Sequence, residues 1–248
     1  MDLCHRFAEL HRPGDPLILF NIWDAGSARA VAAAGAKAIA TGSHPVSAAF
    51  GFEDGERIPL DLALDNLRRI VAAVDLPVTL DFEGGYARAP GLLGDNAAAV
   101  AEAGAVGCNF EDRVVGGEGL VPVDEQCARI AAIAERTGAG FFINARTDVF
   151  VQAPPQRHAD LLDEALERGR AYAGAGASGL FLPLLLDEGL IARACAESPL
   201  PVNVLVWPGA PPIRRLAELG VARISHGGLP HRLAMEALAA AAKEAMAW

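Results

Sequence analysis

Lysine is almost missing from this chain: of its 21 basic residues only Lys37 and Lys243 are lysines, and the other nineteen are arginines. A Schiff base, a pyridoxal site and a Walker-type phosphate loop each need a placed lysine. Lys37 stands just before an apolar run and Lys243 close to the C-terminal end, so none of the three is expected. Cysteine is scarce too. Cys4, Cys108, Cys127 and Cys195 lie far apart, with no CxxC pair and no zinc spacing, and read as small buried hydrophobes. No apolar run approaches the roughly 18 residues of a membrane helix. The opening stretch MDLCHRFAELHRPGD carries Asp2 and Glu9 where a secretory signal would be apolar, so a soluble, cytoplasmic protein is expected. With 31 acidic residues and a net charge of -10, a nucleic-acid partner is disfavoured, as is a membrane. A hydrophobic fraction of 52% excludes intrinsic disorder.

What is present is a regular alternation. Short, continuously apolar runs occur at residues 16–24, 38–43, 77–85, 107–112, 141–149, 179–184, 201–208 and 222–228. Continuous rather than alternating hydrophobicity is the pattern of parallel strands covered on both faces. Helix-like segments follow them, most clearly at 60–74, 123–138, 158–176 and 229–246. Eight βα units in about 250 residues predict one (β/α)8 barrel of the TIM type spanning 1–248 as a single domain. A doubly wound open sheet is the alternative, but its glycine fingerprint after a strand is missing. Leu3, Phe7 and Leu10, at helical spacing, would cap the N-terminal end of the barrel.

Function in such a barrel sits at the C-terminal ends of the strands. Those ends hold Asn21 and Asp24, Ser43 and His44, Asp81 and Glu83, Glu111 and Asp112, Asn144, Arg146 and Asp148, Asn203, and Ser225 with His226. Up to four carboxylates at two neighbouring strand ends repel one another unless a hard cation with oxygen ligands joins them, and Mg²⁺ fits better than Ca²⁺ or Zn²⁺. Alternatively two of them pair with Arg146 or Arg113 and the rest face solvent. Arg146 can grip a substrate carboxylate with its planar fork, or form an ion pair with Asp148 or Glu111. Neither Ser43 nor Ser225 lies in a GxSxG elbow, which argues against a serine hydrolase.

Five strings carry a resemblance: NIWDAGSARAVAAAGAKAIATGS, LDFEGGYA, GCNFED, INARTD and PVNVLVWPG, in that order. Together they resemble the isocitrate lyase and phosphoenolpyruvate mutase superfamily. LDFEGGYA is similar to its DxDxGYG metal segment, NFED to its IED segment and INARTD to its ARTDA segment. The resemblance implies a β/α barrel that binds Mg²⁺ and a small 2-oxo acid or its enolate. It also implies a homotetramer, or at least a homodimer, with a C-terminal helix exchanged between subunits. By position, Asp81 would be the main metal ligand, joined by Glu83 and Glu111. Arg146 would hold the substrate carboxylate, Ser43 the oxo-acid end, Asp54 would lie on a gating loop and Trp23 would line the pocket. Asp24 and Asn203 complete the candidate substrate contacts, and Arg146, His44 and Glu111 are the candidate catalytic groups.

The departures bear on the reaction. The lyases of this family carry a Lys-[Lys/Arg]-Cys-Gly-His loop after strand four, where this chain has DRVVGGEGLVPVDE, without Cys, Lys or His. The mutase's Lys and Asn-Ser in that loop are absent as well. Leu184 replaces a polar residue at strand six, and Pro45 removes one backbone N–H near Ser43. The expectation is a Mg²⁺-dependent carbon–carbon lyase, working through an enolate, on a small 2-oxo or 2-hydroxy di- or tricarboxylic acid. Its proton would come from water or His44. The alternatives are phosphorus–carbon chemistry on a phosphonopyruvate or phosphoenolpyruvate, and a non-catalytic 2-oxo acid binding protein.

Overall fold

A computed structural model describes residues 2–247. Its elements alternate as expected. Helix α1 (Leu3–Glu9) leads into β1 (Leu17–Leu19), α2 (Ala25–Ala33), β2 (Ile39–Ala40), α3 (Ser43–Ala49), α4 (Leu60–Val71) and β3 (Val78–Asp81). Then come α5 (Pro90–Glu102), β4 (Gly107–Glu111), α6 (Val123–Thr137), β5 (Phe142–Arg146), α7 (His158–Gly174) and β6 (Gly179–Leu182). The chain closes with α8 (Glu188–Glu197), β7 (Val202–Leu205), α9 (Ile213–Glu218), β8 (Arg223–Ser225) and α10 (Leu229–Ala245).

All eight strands are parallel, in the order β1-β8-β7-β6-β5-β4-β3-β2. The ring closes just beyond β1, where Ile22 bridges Thr41 and the Ile22 amide donates to Ala40 at 2.9 Å. This is the (β/α)8 barrel read from the apolar runs. The strands are shorter than those runs because the polar C-terminal part of each run leaves the ladder to build a loop. At the second run this matters: Ser43 and His44 are not strand residues but the first turn of α3. Helix α6 ends at Gly138, at φ 77°, a backbone conformation that glycine adopts without strain.

Burial explains why the strands lack alternation. Outside the barrel, Leu80, Phe82, Cys108, Phe110 and Ile143 pack against Leu93, Ala97, Val100, Ile130 and Ile133 of α5 and α6. On the opposite flank Leu180, Leu182, Val202, Val204 and Ile224 meet Leu162, Leu166 and Ile191 of α7 and α8. The N-terminal end is plugged as the sequence suggested. Phe7 is fully buried among Leu17, Leu19, Ala38, Ala40, Val106 and Phe142, and His11 stacks on Phe142 with ring centroids 4.0 Å apart. Burial, with Arg223 nearby, pushes the His11 imidazole down to about 3, so the plug is neutral at physiological pH.

The barrel's inside is polar. Asn144 donates to Asn109 at 2.8 Å and to Asn203 at 3.0 Å, and the fully buried Arg223 donates to Asn109 at 2.8 Å. Asn203 further donates to Ser225 at 3.2 Å. This layer joins β4, β5, β7 and β8 and leaves the next residues along those strands to face the C-terminal mouth. Among the described residues, no helix is long and apolar enough to cross a membrane.

Candidate active site

The mouth of the barrel is built on the ends of β3, β4 and β5. Asp81 is the last residue of β3; its amide donates to Thr41 Oγ1 at 2.9 Å and its Oδ2 accepts from the Ser43 amide at 3.0 Å. Two residues on, Glu83 sits at φ 51° and is buried. Its Oε2 accepts from the Glu56 amide at 3.0 Å, while Glu56 Oε1 accepts from the Tyr86 amide at 2.7 Å. Glu56 and Tyr86 also have positive φ, 59° and 58°. Left-handed backbone at a non-glycine residue costs on the order of 1–3 kcal/mol. Three such residues tied to one another mark a segment whose conformation is held by its surroundings.

Glu111 ends β4 and Arg146 ends β5, paired in register. Arg146 Nη1 lies 3.0 Å from Glu111 Oε2, and its Nε and Nη2 reach Asp148 at 2.6 and 2.8 Å. Asp148 is itself fully buried and takes orientation from Asp112, whose Oδ1 accepts from the Asp148 amide at 2.9 Å. Asp112 Oδ2 turns outward to α7, accepting from the Tyr172 hydroxyl at 2.7 Å and from Arg168 at 3.3 Å. Both sequence alternatives are therefore realised at once. Arg146 pairs with Asp148 and with Glu111, and Asp112 leaves the carboxylate group to serve as the foundation of that pair. Of the five guanidinium N–H donors, three are used, leaving one each on Nη1 and Nη2 for a ligand.

These ends open into a cavity of about 320 Å³ lined by Ser43, Asp54, Gly55, Arg57, Glu83, Glu111, Arg113, Val115, Gly116 and Arg146. Asp81 lies in an adjoining cleft that shares Ser43 and Glu83 with it. The size is at the lower end of ligand pockets, about 300–1,000 Å³, and suits a small acid rather than a dinucleotide. Five predicted site residues, Ser43, Asp54, Glu83, Glu111 and Arg146, thus share one wall, and Asp81 adjoins them.

Four others are placed elsewhere. Asp24 caps α2, its Oδ1 accepting from the Ser27 amide at 2.7 Å while the Ser27 hydroxyl closes the capping box. Trp23 packs edge-on against His231 of α10 at 4.8 Å between centroids. His44 is exposed on α3 and its ring lies against Gly228, because the chain turns into a helix at Ser43 and swings the next side chain off the mouth. Asn203, two residues before the end of β7, points into the interior polar layer. None of the four lines the cavity. Conversely Arg57, Glu56, Tyr86 and Asp148 belong to the site and were not singled out as such. Asp148 alone carried a signal, since it follows Arg146 by two residues in an INARTD string.

Charge is the unusual property of this wall. Burial first, then Asp81 and Asp54, push the Glu83 carboxyl up to about 8. Burial also raises Glu111 above the carboxylate range; Arg146 opposes this, while Asp148, Asp81 and Glu83 reinforce it. Burial disfavours the Arg146 charge, but Glu111 and Asp148 outweigh it and hold the guanidinium protonated. Among the described residues, no three His, Cys, Asp or Glu side chains stand close enough together, as they are oriented here, to hold a metal ion. The donor set nevertheless fits a Mg²⁺ that keeps several waters: all oxygen, anionic, under-compensated and bordering the cavity. Asp81, Glu83 and Glu111 would hold it, each with one carboxylate oxygen outside the hydrogen bonds and ion pair described above.

Comparison with known proteins identifies the family. The family model for phosphoenolpyruvate phosphomutase matches residues 7–246. The chain belongs to that family. A structure from Burkholderia cenocepacia J2315, solved under the provisional name of phosphonomutase, is 52% identical, covers 98% of both chains and superposes with a TM-score of 0.94. The uncharacterized protein Rv1998c of Mycobacterium tuberculosis is 37% identical over 96% of this chain and 87% of its own length. The 2-methylisocitrate lyase of Salmonella typhimurium is 28% identical, covering 87% of this chain and 78% of that one. Phosphonopyruvate hydrolase, solved with oxalate and Mg²⁺, shares the fold at 21% identity, with 96% and 84% coverage and a TM-score of 0.83. The sequence relatives with a named activity include 2-methylisocitrate lyases and a phosphoenolpyruvate phosphomutase, and this chain is an enzyme of their superfamily.

The Glu83 shift yields a pH prediction. A carboxyl protonated more readily in the folded chain than in the unfolded one makes stability fall as pH rises. The window runs from its ordinary value of 4.5 to about 8. In metal-free buffer the thermal midpoint of the wild type should drop between pH 6 and 8 more steeply than that of Glu83→Gln, and saturating Mg²⁺ should abolish the difference. Parallel pH profiles of the two metal-free proteins would contradict the assignment.

Proposed function

We propose that this protein is a Mg²⁺-dependent carbon–carbon lyase acting on a small 2-oxo or 2-hydroxy di- or tricarboxylic acid. The observation that carries the proposal is the joining of Glu83, Glu111 and Arg146 around one acid-sized cavity, with Asp81 in the adjoining cleft and a loop, residues 112–122, that has no Cys, Lys or His.

Each residue has a part. The two N–H groups remaining on Arg146 bind the substrate carboxylate, and Asp148 holds the guanidinium in the plane that presents them. The Ser43 amide is engaged by Asp81, so the Ser43 hydroxyl is the group that faces the cavity and contacts the oxo-acid end. Asp81, Glu83 and Glu111 hold the cation, which when bound supplies Lewis-acid stabilisation to negative charge developing on the 2-oxo oxygen. In a 3-carboxy-2-oxo acid the scissile bond joins C3 to its carboxylate, and its electron pair becomes the C2–C3 double bond of the enolate as CO₂ leaves. Decarboxylation of a 3-carboxy-2-oxo acid releases CO₂ and needs no base to begin, which suits a loop without a proton-transfer residue. His44 lies off the cavity wall, so the enolate takes its proton from water entering by the mouth.

A second reading, cleavage or rearrangement of a phosphorus–carbon bond, is favoured by the phosphomutase family model and by the 52% identical Burkholderia protein. Proton and phosphorus NMR of the protein with oxaloacetate, isocitrate, methylisocitrate and phosphonopyruvate separates the two. Mg²⁺-dependent pyruvate, glyoxylate or succinate with no phosphate supports the lyase, and phosphate from phosphonopyruvate supports the second reading. Asp81→Ala should lose both Mg²⁺ binding and turnover by two orders of magnitude or more, on the order of an electrostatic stabiliser's usual contribution. Retained turnover would contradict the proposal. Binding of a 2-oxo acid without any product would make the chain a binding protein instead.

We further propose a homo-oligomer, dimer or tetramer, working in the cytoplasm. All four cysteines are free thiols, as a reducing compartment permits. Helix α10 has a single buried residue, Pro230, and leaves Leu233, Met235 and Leu238 exposed. Met235 and Leu238, three residues apart, share one side of the helix, and burying them against a neighbouring copy would remove them from water. Light scattering should give a multiple of the 25.8 kDa chain, and Leu238→Glu should lower it; a wild-type monomer would refute the idea.

A further inference from the structure

Helix α6 carries two polar side chains on its buried face, Gln126 at 0% exposure and Arg129 at 4%. They stand three residues apart, so they share one side of the helix, and both turn toward the ends of β3 and β4. Neither lines the 320 Å³ cavity.

A guanidinium in this place is costly. All of its hydrogen bonds go to neutral acceptors, it forms no ion pair among the described residues, and its Nε is buried without a partner. Burial lowers the Arg129 pKa from its ordinary value, only partly offset by Glu125 and Glu56. The guanidinium lies over the Phe110 ring, 4.9 Å from its centroid, where an apolar side chain would pack without that penalty.

What Arg129 holds is the turn that carries Glu83. The Glu111 amide donates to the Glu83 carbonyl at 2.9 Å, a rung just beyond the end of β3. From there the chain turns through Glu83, Gly85 and Tyr86 at φ 51°, 84° and 58°, all left-handed. The carbonyls of Gly84 and Ala87 in this turn accept from Arg129 Nη2 at 2.6 and 3.3 Å. Arg129 Nη1 donates to Gln126 Oε1 at 2.7 Å, and Gln126 Nε2 donates to the Glu111 carbonyl at 3.0 Å. One unbroken chain therefore runs from the Glu83 turn through α6 to the end of β4. The planar fork suits this task, because its nitrogens reach several acceptors in fixed directions.

We propose that Gln126 and Arg129 are positioning residues for the metal site: they clamp the Glu83 turn to the end of β4 and so fix the separation from which the Glu83 and Glu111 carboxylates reach a divalent cation. The inference rests on the reading of Asp81, Glu83 and Glu111 as Mg²⁺ ligands, and adds two residues that touch neither cation nor substrate. The carboxylates do not converge as they are oriented here, so they must rotate onto the ion. Rotation on clamped backbones sacrifices little freedom.

Calorimetric titration with Mg²⁺ alone tests the clamp in the wild type, Arg129→Met, Arg129→Lys, Gln126→Met, the double Met variant and Ile191→Val, a core control on the opposite flank. Arg129→Met should bind Mg²⁺ at least about tenfold more weakly, the usual scale for losing a residue that orients a metal ligand. Arg129→Lys, which keeps a donor for the Gly84 carbonyl, should recover part of that loss. Gln126→Met should also weaken binding, and the double variant should lose less than the two single losses combined, because each breaks the same chain. Ile191→Val should bind as the wild type does. Near-ultraviolet circular dichroism identifies the folded variants, and a merely structural role would lower their thermal midpoints without moving Mg²⁺ affinity. Wild-type affinity in a folded Arg129→Met, or in Gln126→Met if the former does not fold, would overturn the clamp and leave the proposed function intact. A wild type that does not bind Mg²⁺ would overturn both.

Discussion

Buried carboxylates at neighbouring strand ends repel, and the architecture of this barrel's mouth follows from containing that repulsion. Glu83 and Glu111 are withdrawn from water, so each is pushed toward its neutral form. The fold does not relieve the strain by separating them. It holds Glu83 in a left-handed backbone, ties it to Glu56, and pairs Arg146 with Glu111 and Asp148. Such a wall makes physical sense if a cation completes it, as proposed, and that cation would then determine which substrates can be polarised there.

The rest of the molecule supports that wall from two sides. Below it, the Asn109–Asn144–Asn203–Arg223 layer links β4, β5, β7 and β8 at one level, while Arg223 Nε and Nη1 and Asn144 Oδ1 stay buried without a partner. Beside it, a chain of contacts runs from Tyr172 and Arg168 on α7 through Asp112 to Asp148 and so to Arg146. The outer helix layer thus sets the orientation of the Arg146 guanidinium. Gly84 belongs to the same logic: a Cβ there would come within 2.8 Å of the Val115 side chain and 3.1 Å of Glu56 Oε1, so glycine lets these two loops meet over residues 81–86 without displacing either side chain.

Much of this was legible in the amino-acid order. Continuous apolar runs locate all eight strands, because a parallel strand buried on both faces has no reason to alternate. The acidic turn at the ends of the third and fourth runs locates the site, since carboxylates are not packed together without purpose. What the pattern could not give was direction. His44 follows a strand by only a few residues, but a helix starting at Ser43 carries it outward. Asn203 is polar and near a strand end, yet the twofold period of the strand turns it inward, one layer too deep. Asp24 stands three residues before Ser27, the spacing of a capping box, and that local role explains it fully. Arg57 lay in a loop whose fold depends on Glu83 and Tyr86, which are distant in sequence, so its place in the cavity is a tertiary fact.

The central claim is that Asp81, Glu83 and Glu111 hold one divalent cation within reach of Arg146. Crystals grown with Mn²⁺ in place of Mg²⁺, together with oxalate, test it most directly through anomalous scattering. The account predicts a single strong peak bordered by these three carboxylates, with an oxalate oxygen pair on Arg146. Mn²⁺ bound elsewhere, or oxalate seated on Arg146 with no peak at the strand ends, would contradict it.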